Sequence, residues 1–123
     1  MLVRWLFDAR KLSRLQLRTL ESALKRGEPV ALSAISLLEI AVLASGEKPA
    51  VRVSVDELFE DLNANPAFRV LPLTYEVARE VASLSALRDP ADRAIAATAR
   101  VHRLRLVTSD QRIIASNLVQ VVE

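Results

Sequence analysis

Leucines at positions 12, 15, 20 and 24 recur at helical spacing, and the period predicts an amphipathic helix over Ser13 to Arg26. Ser13 with Gln16 three residues on makes a capping-box start, and Gly27 supplies a left-handed stop. "PVALS" (29–33) is a short unbroken apolar run, the pattern of a buried strand. "SLLEIAVLAS" (36–45) returns to helical period, with Ser36 and Glu39 as a second capping box and Gly46 as its stop. "SVDELFEDLNAN" (54–65) predicts an amphipathic helix that Ser54 or Asp56 can cap and that ends before Pro66. "FRVLPL" (68–73) reads as a strand and "TYEVAREVASLSAL" (74–87) as a helix opened by Thr74. Pro90 at a first helical position starts "PADRAIAATARVHR" (90–103). A strand "LRLVTS" (104–109), a helical turn "DQRIIASN" (110–117) and a last strand "LVQVV" (118–122) complete the chain.

Strands that are apolar throughout and alternate with helices predict an α/β fold: a mainly parallel sheet covered on both faces. No linker or repeat divides the chain, so residues 1–123 are expected to form one domain. In such a sheet the residues just after each strand, and the helix starts beyond them, share one edge where ligands bind. Glu39 falls in the first turn after "PVALS", Asp110 directly after "LRLVTS", and Asp89 and Asp92 at the start of the Pro90 helix. Carboxylates from separate units can therefore converge.

Each acid also has a purely structural use. Asp89 is a good N-cap, Asp92 at N3 favours the helix dipole, Glu39 closes a capping box, and Asp110 caps the turn after it. Capping does not explain why such acids recur at matched points of different units. A metal site does, since Mg²⁺ and Mn²⁺ take oxygen ligands, and a bound cation relieves the repulsion among clustered carboxylates.

Composition narrows the chemistry. The chain is 51% hydrophobic and 26% charged, and no apolar run approaches the roughly 18–20 residues of a membrane span. With no cysteine there is neither a disulfide framework nor a thiolate site, so a cytoplasmic setting and no membrane are expected. Only 2 glycines exist, too few for a phosphate loop or a dinucleotide fingerprint. His102 is the only histidine, which argues against zinc, and no serine sits in a hydrolase elbow. Net charge is +2, but arginines gather near the acids; Arg93 and Arg112 are candidates for holding RNA phosphate or for pairing with neighbouring carboxylates. Trp5 and Tyr75 are assigned to packing, since few aromatics are available for a stacking platform.

"SAISLLEI", "RDPADRAIAATA" and "LRLVTSD", in this order, resemble a PIN domain, in particular the VapC-type toxins whose "DPxDR" helix precedes a strand ending in "T-x-D". The resemblance implies a three-layer α/β/α fold and an endoribonuclease dependent on Mg²⁺ or Mn²⁺. By position it makes Glu39, Asp92 and Asp110 catalytic metal ligands, with Asp89 as a supporting acid. It implies an RNA substrate and a small antitoxin partner covering the site; a homodimer is expected as well, as a way to fill the gap that a missing central strand would leave. One departure stands out. The family opens on a strand ending in aspartate, whereas "MLVRWLFDARKLS" matches only the segment after that aspartate, with Asp8 falling on a later loop. The first strand and one acid are thus expected to be missing, through a misplaced start codon or a truly short chain. The alternative function is accordingly an impaired PIN fold that binds an antitoxin or dimerises without cleaving.

Overall fold

Five parallel strands in the order β3-β2-β1-β4-β5 form the centre of the protein. The structure, a computed structural model, describes residues 3, 5–8, 14–44 and 55–122. Along the chain the elements are β1 (Trp5–Phe7), α1 (Arg14–Lys25), β2 (Val30–Ser33), α2 (Ala34–Ala44), α3 (Val55–Ala64) and β3 (Phe68–Leu71). They continue with α4 (Tyr75–Ser83), α5 (Pro90–His102), β4 (Arg105–Val107), α6 (Gln111–Ser116) and β5 (Val121–Val122).

Side-chain alternation sends successive strand residues to opposite faces, and both faces are buried. Leu6, Ala31 and Leu106 point to one core, where they meet Val77 of α4, Ile95 of α5 and Ile113 of α6. Phe7, Val30 and Leu32 belong to the other, against Leu20 and Ala23 of α1, Ile40 of α2 and Leu62 of α3. This is the expected three-layer α/β/α arrangement. Among the described residues no helix is long and apolar enough to cross a membrane.

The expectation of a missing first strand is overturned. Trp5–Phe7 occupies the central position, in parallel register with Val30–Leu32 on one side and Arg105–Val107 on the other. The physical reason is that a gap there would leave backbone donors and acceptors of β2 and β4 unpaired inside the sheet. A three-residue apolar run is enough to fill it, and Leu6 and Phe7 are 0% and 2% exposed.

Several boundaries differ from the sequence pattern for local reasons. The helix after β2 starts at Ala34, because Ser33 at the strand end accepts a hydrogen bond from Ile35 N at 3.3 Å. Ser36 therefore lies inside α2 and Glu39 in its second turn, so the Ser36–Glu39 capping box does not form. Helix α4 ends at Ser83, short of Leu87, because Leu84 and Leu87 both turn into the core and the Leu87 N–H closes a tight turn on Leu84 O. Asp56 is a first-turn acid of α3 and not its cap. The caps assigned to Ser13, Gly46 and Ser54 lie outside the described residues. Gly27, at φ 72°, ends α1 in the left-handed conformation expected of it.

Thr74 caps α4, its hydroxyl accepting from Val77 N at 3.2 Å. Thr74→Ala is expected to lower stability by about 1 kcal/mol, measured by urea denaturation. A change indistinguishable from zero would mean that the cap carries no weight.

Candidate active site

The strand order places a topological switch between β1 and β4. The chain leaves β1 for β2 on one side, and returns through β3, α4 and α5 to reach β4 on the other. In open parallel sheets the crevice outside the strands' C-terminal ends at such a switch is the usual ligand site. Asp8 comes directly after β1, and Thr108, Ser109 and Asp110 come directly after β4.

One hydroxyl ties these two strand ends together. Thr108 Oγ1 donates to Asp8 Oδ2 at 2.7 Å and accepts from the Asp110 backbone N–H at 3.0 Å. All three residues are buried, Asp8 at 5%, Thr108 at 3% and Asp110 at 4% exposure. The Asp8 N–H also donates to Val107 O, which holds the acid against the end of β4. Asp8 therefore stands at the end of the first strand, which corrects its assignment to a later loop.

The start of α5 brings the next acid. Asp89 caps this helix, its Oδ1 accepting from Ala91 N at 2.8 Å and Asp92 N at 3.1 Å, with Pro90 at the first helical position. That cap fixes the first turn and directs Asp92 inward, where it is 1% exposed. Asp110 in turn caps α6, accepting from Arg112 N at 2.9 Å. Both caps expected from the sequence form, and each stands beside the site.

Arg112 joins the two buried acids. Its Nη2 lies 3.1 Å from Asp110 Oδ2 and 3.6 Å from Asp92 Oδ2, while its side chain is 65% exposed. The hydrogen bond to Asp110, and then the charges of Asp92 and Asp110, push the guanidinium pKa above its ordinary value. The other candidate arginine is also engaged, since Arg93 Nε donates to Leu87 O. Glu39 is half-buried on α2, which packs against α5. Among the described residues no three acidic or histidine side chains are gathered into a metal-holding group, so Glu39 is not brought into one with Asp92 and Asp110.

Asp8 and Thr108 are the site residues that sequence reasoning missed. A signal was present in the parallel between "WLFD" and "LVTSD", each an apolar strand leading to aspartate. Ser36 is a further buried polar group, 0% exposed, whose hydroxyl has no hydrogen-bond partner among the described residues.

The fold is thus a parallel α/β/α sheet with buried aspartates at its switch point. The chain belongs to the PIN domain family, whose profile matches residues 1–116. It is 37% identical over 93 residues to ribonuclease VapC22 of Mycobacterium tuberculosis (strain ATCC 25618 / H37Rv), covering 74% of this chain and 70% of that protein, which makes it a VapC-type PIN domain. A toxin–antitoxin complex from Klebsiella pneumoniae contains a chain of the same fold, 25% identical, with a TM-score of 0.70 and coverage of 96% of this chain and 95% of that one. FitAcB from Neisseria gonorrhoeae is 27% identical with a TM-score of 0.64, covering 97% of this chain and 96% of its own.

Proposed function

We propose that this chain is a divalent-metal-dependent endoribonuclease, the toxin of a toxin–antitoxin pair. The observation that carries the proposal is the Asp92–Asp110 pair: two deeply buried carboxylates at the sheet's ligand edge that share the Arg112 cation. The fit to a metal rests on that shared positive charge and on the donor set. The donors are all oxygen, and Mg²⁺ is commonly bound by only one or two carboxylates, with water completing its shell. Mg²⁺ or Mn²⁺ are the ions proposed, held by Asp92 and Asp110, with Asp89 supporting Asp92 through its cap and Asp8 and Glu39 outside that pair.

A bound divalent ion supplies positive charge against a phosphodiester under attack and a water of lowered pKa. The chain's own groups do the rest. Thr108 orients Asp8, the Asp89 cap orients Asp92, and the start of α6 orients Asp110. Arg93 and Arg112 are the proposed contacts to RNA phosphate, Arg112 because its exposed guanidinium carries more donors than the two acids engage.

A small antitoxin is the proposed partner, and a cytoplasmic homodimer the proposed assembly. Both are supported by exposed apolar side chains: Leu38 and Val42 on α2, Val70 on β3, and Leu73 and Tyr75 at the start of α4, Tyr75 being exposed there and not packed in the core as the sequence suggests. A second reading, a PIN fold that binds its partner without cleaving, is favoured by one observation, that Arg112 already lies against the acid pair.

Cleavage of a mixed RNA pool with Mg²⁺, with Mn²⁺ and with chelator separates the two. Cleavage that needs the metal and stops on adding the antitoxin is the expected result. No cleavage under any metal, with partner binding intact, would establish the second reading.

A further inference from the structure

Resting on the metal-site reading above, we infer that Arg112 is a built-in counter-cation. It holds the Asp92–Asp110 pair together while the site lacks a metal, and it is displaced when a divalent ion enters. The two carboxylates come from the starts of separate helices and are 1% and 4% exposed. Placed close together without a cation, they would repel each other in a poorly solvated setting. Arg112 answers that cost from outside. Its stem starts on α6, two residues beyond Asp110, and its head folds back so that Nη2 faces both Oδ2 atoms, at 3.1 Å and 3.6 Å.

The same geometry makes the guanidinium a competitor. A divalent ion held by both acids would need the same carboxylates that the guanidinium engages. The side chain is 65% exposed, so leaving the acids requires only rotation into solvent. Asp110 keeps its capping bond to Arg112 N through Oδ1, so α6 stays anchored when the side chain departs. Once released, Arg112 stands at the rim of the site with all its donors free for phosphate.

The test is Mn²⁺ binding to the full chain by calorimetry, comparing wild type with Arg112→Gln. The variant is expected to bind Mn²⁺ roughly two- to fivefold more tightly, the factor to which an exposed ion pair of up to about 1 kcal/mol corresponds. In chelator its melting temperature should fall below that of wild type, and saturating Mn²⁺ should narrow the gap. In wild type, the Arg112 Nε–H nuclear magnetic resonance signal should lose its protection from solvent exchange as Mg²⁺ is added. Equal or weaker Mn²⁺ binding by the variant, or an Arg112 signal unmoved by saturating Mg²⁺, would overturn the inference alone. Absence of Mn²⁺ binding by both proteins would overturn the metal-site reading together with it.

Discussion

Asp92→Asn is expected to lower RNA cleavage by about 100-fold or more, while leaving the protein folded and at least as stable without metal. The first half comes from what the carboxylate does for a cation. In the proposed reaction a divalent ion would supply several kcal/mol of charge stabilisation, and each 1.4 kcal/mol is about a factor of ten in rate. The second half comes from where Asp92 sits. It is 1% exposed, and the guanidinium 3.6 Å away is closer to Asp110, at 3.1 Å. Asparagine keeps the shape, leaves Arg112 with Asp110, and removes a repulsion between the two acids. A cleavage time course in Mg²⁺ and a thermal melt in chelator measure the two halves. Full activity in the variant would remove Asp92 from the site, and a collapse in stability would mean that its charge supports the fold.

Leu6→Ala is expected to cost about 2–5 kcal/mol, a large part of the roughly 5–15 kcal/mol that holds a domain of this kind folded. Leu6 is the middle residue of the middle strand, 0% exposed, in register with Ala31 and Leu106 on its two sides. Its side chain packs in the same core as Ile95 and Ile113. Ala31 beside it is already small, so truncation leaves a hole that this neighbour cannot fill. The shift of the urea midpoint measures the effect. A loss under about 1 kcal/mol, the level of an ordinary surface change, would mean that Trp5–Phe7 does not fill the centre of the sheet.

Local signals in the chain were easy to read because local chemistry sets them. The Thr74, Asp89 and Asp110 caps and the Gly27 stop each depend on a few neighbouring residues, and each forms. The Ser36–Glu39 box failed for a reason of the same scale, since Ser33 offers its hydroxyl first. The features that escaped the sequence depend on distant partners. A run of three apolar residues has no periodicity of its own, and Trp5–Phe7 becomes a strand because β2 and β4 leave a place for it. Asp8 was passed over with it, since a carboxylate's role is set by the strand end that carries it. The pairing of Arg112 with Asp110 lies within two residues and could be anticipated. Its reach to Asp92 is a product of the way α5 and α6 meet at the sheet edge.

The central position of so short a strand also shapes how the protein comes into being. β1 is synthesised before its neighbours, yet one of them is β4, and the Thr108–Asp8 hydrogen bond spans 100 residues. Contacts of that separation are made late and slowly, because most of the chain must be ordered to bring their ends together. A nascent chain that has not reached β4 carries Asp8 and Asp92 with neither Thr108 nor Asp110 beside them. The proposed site is therefore unassembled until the last part of the chain has been made.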